Sequence, residues 1–142
     1  MENKKILKTN ESIETIEEEI KFGKLKTKLI ESRLMDIFLS VGITANLQGY
    51  HYLKDGIKLV MKEPRYISNI TKYIYPKIAI KHSTTPYRVE RGIRHALEVS
   101  YGRGKMIKLN SLFGIEILTE KEKPTNAEFV ALIANKLNLE LR

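Results

Sequence analysis

The residue pattern of this chain specifies an all-α fold. Apolar residues recur every three or four positions through most of its length. Residues that start and stop helices bracket those runs. No stretch alternates apolar and polar residues for long enough to form a strand.

The chain opens with a polar, charged stretch, residues 1–10, whose composition suggests disorder. From Ser12 a narrow apolar stripe appears at Ile13, Ile16 and Ile20, and Glu17 can pair with Lys21 one turn on. This predicts a short amphipathic helix over 12–22, interrupted by Gly23. A broader apolar face, Leu29, Ile30, Leu34, Ile37, Phe38 and Val41, predicts a helix over 25–41 that Gly42 ends. The next helix covers about 48–62, with Tyr50, Leu53, Ile57, Val60 and Met61 inward, and Pro64 stops it. Another spans about 66–82, burying Ile67, Ile70, Ile74, Ile78 and Ala79. Pro76 must kink or restart it, since proline lacks an N–H and crowds the preceding turn.

A long helix follows from Pro86 to about Arg103. Thr84 and Thr85 can cap its start, and Pro86 suits the first helical position. Val89, Ile93, Ala96, Leu97 and Ser100 fall on one inner face. Lys108 to Phe113 adds a short helical segment before Gly114, and Ile115 to Leu118 reads as extended. Thr125 to Glu128 forms a capping box, and Val130, Ile133, Ala134 and Leu137 line the inner face of a last helix. These features divide the chain into an extension over 1–24 and a helix-turn-helix domain over 25–142.

Charge narrows the class of partner. The net charge is +8. Residues 1–24 hold five Lys and six Glu, a net −1, while residues 25–142 hold twenty Lys plus Arg and eleven Asp plus Glu, a net +9. The basic excess belongs to the larger part and favours an anionic partner, such as nucleic acid or a membrane surface. Cysteine is absent, so disulfides and cysteine-ligated zinc are excluded. No apolar run approaches the length of a membrane span, and the N-terminus lacks a signal-peptide core.

The segment from His82 to Gly104 carries the sharpest chemical signal. Arg88, Arg91, Arg94 and His95 lie mainly on its polar side, just after a short helix and a Thr-rich turn. This arrangement suits a helix presented to the DNA major groove. Arg can donate two parallel hydrogen bonds to guanine, and Glu can accept from cytosine. Arg88 and Glu90 place those types near the entering end, while Arg91, Arg94 and His95 suit phosphates. The competing reading is a solvated face laced by ion pairs such as Glu90–Arg94 or Arg94–Glu98. Tyr87 fits either a DNA-backbone contact or a cover over the turn. Thr84 and Thr85 are further phosphate candidates, and Arg103 and Lys105 extend the set beyond a helix C-terminus at Gly102 to Gly104. His51 reads as structural, and His82 as a local cap or surface residue and not a ligand. The three His show no metal spacing, and the Glu cluster at 17–19 is a solvated face. No catalytic constellation is present, so an enzyme is not expected.

The run YPKIAIKHSTTPYRVERGIRHALEVSYGRG resembles the helix-turn-helix of the stage zero sporulation protein A family. QGYHYL at 48–53, SLFG at 111–114 and KPTNAEFVALIANKLNLE at 123–140 resemble the same effector domain, so the likeness covers roughly 30–140 in colinear order. The resemblance implies an all-helical, winged-helix-like DNA-binding domain of about six helices and a bacterial, cytoplasmic transcription regulator. It implies binding to promoter elements, often by two copies in tandem, and contact with the sigma subunit of RNA polymerase. It implies no cofactor and no dependence on calcium. Carried over by position, base reading falls on Arg88 and Glu90, and phosphate contact on Arg91, Arg94 and His95. Two departures stand out. Tyr87 replaces a usually small residue, and Ser83 stands where the family's turn commonly has Asn. The family also couples this domain to a receiver phosphorylated on Asp. About thirty residues before the match are too few for such a core, so the resemblance brings no phosphorylation control. The chain is then a stand-alone relative, to which its start and the charged helix at 12–22 lean, an excised piece, or a short regulator under another control. The alternative function is an interaction protein or antagonist that pairs with a full-length regulator or competes for its sites.

Overall fold

The computed structural model describes residues 2–116, 118–119 and 121–141, with side chains from residue 12 onward. The chain forms two compact units, Met1–Arg33 and Leu34–Arg142. The described residues contain helices and no strand.

The described residues of the first unit, 2–33, are all helical. Helix α1 spans Glu2–Ser40 and passes through Gly23 without a break. It therefore begins ahead of Ser12, where the sequence suggested disorder, and the expected interruption does not occur. An exposed helix tolerates a single glycine at a cost of about 1 kcal/mol, which a long cooperative run absorbs. The Thr27 hydroxyl also donates to the Gly23 carbonyl at 2.9 Å. Leu29, expected to face inward, is about half exposed.

The second unit holds the core. Leu34, Ile37 and Phe38 on α1, with Val41 and Ile43 beyond it, are fully buried. The α1 end follows the expectation at Gly42, whose φ of +75° is open to glycine at low cost. The Ile43 N–H reaches back to the Phe38 carbonyl at 2.8 Å and closes a Schellman turn. Helix α2 (Gln48–Lys62) packs against most of the other elements and buries Tyr52, Leu53, Ile57 and Val60.

The single helix expected over 66–82 is instead three pieces: a 3₁₀ segment Pro64–Asn69, α3 (Ile70–Tyr73) and α4 (Tyr75–Lys81). Pro76 sits in the first turn of α4, where its missing N–H costs nothing, so the proline restarts the helix. The Asn69 side chain caps α3, accepting from the Lys72 N–H at 3.1 Å. Ile67 and Ile70 are consequently only partly buried, whereas Ile74, Ile78 and Ala79 reach the core.

Helix α5 (Pro86–Gly102) and α6 (Lys108–Phe113) follow, with Gly114 left-handed after α6. Ile115, Glu116 and Leu118 carry no strand pairing, and Ile117, within the stretch expected to be extended, lies outside the described residues. The Asn110 side chain holds Leu118 at both backbone groups, at 2.7 and 3.1 Å. Helix α7 (Asn126–Glu140) starts with the expected capping box: the Thr125 hydroxyl accepts from the Glu128 N–H at 3.1 Å and donates to the Glu128 carboxylate at 3.0 Å. Phe129, Val130, Ile133, Ala134 and Leu137 are buried beneath it.

Candidate nucleic-acid interface

Helices α4 and α5 and the turn between them form a helix-turn-helix. At the α4 end, the His82 N–H donates to the Ile78 carbonyl at 3.1 Å and the Thr84 N–H to the Ala79 carbonyl at 2.9 Å. This closure places Ser83 at φ +51°, a left-handed conformation that favours glycine or asparagine. Thr85 then caps α5, its hydroxyl accepting from the Arg88 N–H at 3.2 Å, and Pro86 opens the helix.

Three contacts hold α5 in place. Its inner face is the one the periodicity marks: Val89, Ile93, Ala96, Leu97 and Ser100 are all at or below 1% exposure. Its backbone touches α2, because a Cβ on Gly49 would lie 2.2 Å from the Gly92 carbonyl oxygen and 2.7 Å from the Ala96 Cβ. From α7, Asn126 donates to the Glu90 carbonyl at 3.2 Å and to the Tyr75 hydroxyl at 3.0 Å. Burial of that Tyr75 phenol raises its pKa above the ordinary tyrosine value.

The polar side of α5 divides into two flanks and a far end. On one flank Arg88, Arg91 and His95 line an open groove with Gln48 and Tyr52 from α2 and His82, Ser83 and Thr84 from the turn. Among the described residues, no acidic side chain lines this groove. Tyr87, 67% exposed, projects from the entering turn. Two positions along an α-helix turn through about 200°, so Glu90 lies on the flank away from Arg88. There it meets Arg94 at 3.3 Å, the i,i+4 pair of the solvated-face reading, with both side chains partly open to water. Such a pair contributes about 0.3–0.5 kcal/mol and is readily exchanged for another partner.

Arg103 and Lys105 stand apart. Arg103, at the far end of α5, lies about 22 Å along the axis from Arg88, and Lys105 follows the turn after it. The Arg103 guanidinium donates to the Gly42 carbonyl at 3.0 Å, and a Cβ on Gly42 would come within 2.9 Å of the Lys105 side chain. The structure thus gathers Thr84, Arg88, Arg91 and His95 and leaves these two over the α1–α2 turn.

Several neighbours escaped the sequence reading. Gln48 and Tyr52 reach the groove only through the Gly49–Gly92 crossing, which no local pattern reveals. Asp55 on α2 anchors the turn: its carboxylate meets His82 Nε2 at 2.5 Å and Lys81 Nζ at 2.7 Å. The His82 ring also packs edge-on against Tyr52, with centroids 5.1 Å apart. His82 is therefore structural, as is His51, whose Nε2 meets the Ala45 carbonyl at 3.0 Å. Beside Asp55, Lys58 and Lys62 of α2 face Lys77 and Lys81 of α4 across a second groove. Partial burial, then the Lys81 and Lys62 charges, push the Lys58 ammonium below the ordinary lysine pKa. The described residues hold no cluster of three potential metal ligands.

The arrangement is that of a packed helix presenting Arg88, Arg91 and His95 along a groove beside its capped N-terminus. Against known proteins, the family described as Sporulation initiation factor Spo0A C terminal matches residues 34–137. That match contains every element of this site.

Proposed function

Since the chain belongs to the Spo0A C-terminal family of sporulation initiation factors, a DNA-binding transcription-factor domain and not an enzyme, we propose that it is a sequence-specific regulator acting at promoters. The N-terminal end of α5 enters the major groove, and α4 braces across the backbone. The groove lined by Arg88, Arg91 and His95 carries this reading.

Arg88 reads guanine from one flank of the entering turn, and Glu90 accepts from cytosine on the other after exchanging Arg94 for a base. Arg91, Arg94, His95 and Tyr87 reach phosphates, with Thr84 and Thr85 beside them at the turn. The Thr85 hydroxyl accepts from the helix backbone, which leaves its O–H to donate to an anion. Lys77 and Lys81 of α4, with Lys58 and Lys62 of α2, supply charge for the backbone that α4 crosses. Arg103 keeps further guanidinium donors for a phosphate beyond the groove, with Lys105 next to it. Two copies in tandem on one element and contact with the polymerase sigma subunit complete the proposal. The setting is the bacterial cytoplasm. No helix of the described residues is long and apolar enough to cross a membrane.

The experiment compares binding to the family's DNA element, the 0A box, with binding to a scrambled duplex over a salt series. A preference that persists while both affinities fall with salt supports the reading. Equal affinities at every salt concentration refute sequence specificity.

A further inference from the structure

The first unit carries an apolar stripe that nothing in its own helix covers. Ile13, Ile16 and Ile20 are 48%, 53% and 54% exposed. Their spacing of three and four residues is the a–d–a sequence of a coiled-coil heptad. In that frame Gly23 and Ile30 take the next d positions and Thr27 the next a position. A second exposed trio, Phe22, Leu25 and Leu29, does not continue into a seam, since the polar residues Glu18, Ser32 and Asp36 occupy the heptad-related positions.

From this pattern we infer that α1 pairs with α1 of a second copy of this chain, in parallel and in register, through the Ile13–Ile16–Ile20 seam. The flanking charges select both the occupant and the direction. In a parallel pair each g position faces the e position five residues on in the partner helix. Here g-position Glu19 faces e-position Lys24, and g-position Lys26 faces e-position Glu31, so the two-fold axis generates four opposite-charge pairs. Ser12 faces Glu17, which adds no like-charge clash. An antiparallel pair that stacks Ile16 on Ile20 instead sets Glu19 against Glu19 and Glu17 against Glu17. A self-complementary helix of this kind disfavours antiparallel pairing and suits its own copy. Gly23 leaves a gap at one d layer, since a Cβ there meets nothing within 4 Å in the single chain. This pairing needs no DNA and does not depend on how α5 reads bases.

Sedimentation equilibrium of the full chain without DNA tests the pairing. The mass should rise with concentration towards twice the 16.4 kDa of one chain. Ile16→Lys should return it to one chain without altering the thermal melt of the core. Glu19→Lys should weaken association by roughly tenfold, and adding Lys24→Glu should restore it, because the swapped charges again oppose in a parallel pair. Gly23→Leu should tighten association by filling the d layer. A single-chain mass at every concentration overturns the inference, as does a dimer that survives Ile16→Lys. Failure of the charge swap to restore pairing overturns the parallel register.

Discussion

Helices α1 and α5 both carry apolar residues at helical spacing and charges on the other side, yet they end in opposite circumstances. The α5 stripe is sealed at or below 1% exposure, whereas Ile13, Ile16 and Ile20 of α1 stay about half exposed. The difference lies in the neighbours. Helix α5 meets a glycine on α2 that lets two backbones touch, a proline-restarted α4 beneath its N-terminus, and an asparagine from α7 that ties its carbonyl. Periodicity therefore defines a face, and residues distant in sequence decide what covers it. In α5 the cover is the domain core, which leaves the opposite side open to solvent. For the α1 stripe the cover we assign is a second chain.

Four substitutions test that contrast, in falling order of effect. Ile93→Ala removes methyl groups from a fully buried site and should cost about 2–5 kcal/mol in a denaturation titration. A loss under half a kcal/mol would contradict the packing of α5. Gly49→Ala drives a Cβ into the Gly92 carbonyl and should cost about 1–3 kcal/mol, weakening DNA binding as α5 shifts from α2. A neutral variant would place the two helices further apart. Ser83→Gly should stabilise by up to about 1 kcal/mol, because it relieves a left-handed non-glycine residue in the turn. Destabilisation there would argue against the turn geometry. Ile16→Ala should change the thermal stability of the core by less than about 0.5 kcal/mol, since its site lies outside the second unit. A large loss would mean that the stripe is part of the core after all.

Much of this was legible in the residues. The five inner positions of α5, both Thr caps, the end of α1 at Gly42 and the bounds of α6 each follow from a local rule that the fold leaves intact. The expected breaks failed or shifted where local rules compete. Gly23 lies inside a run long enough to carry it, and the helix expected over 66–82 is divided where Asn69 caps α3 and Pro76 restarts α4. The candidate site was visible as residue types and spacing but not as a surface. The flanking of Arg88 by Gln48 and Tyr52, the Asp55 anchor under His82, and the use of Arg103 at the Gly42 carbonyl all arise from long-range contacts. A one-dimensional pattern lists such residues together without showing which of them share a flank.

The most direct test of the central claim, that the entering end of α5 reads base edges, is selection of bound duplexes from a random pool by the native chain and by Arg88→Ala. The native chain should enrich one motif, and the variant should bind more weakly and lose preference at one position of it, at a cost of about 1–3 kcal/mol. Enrichment of an unchanged motif by Arg88→Ala, or of no motif by the native chain, would contradict the account.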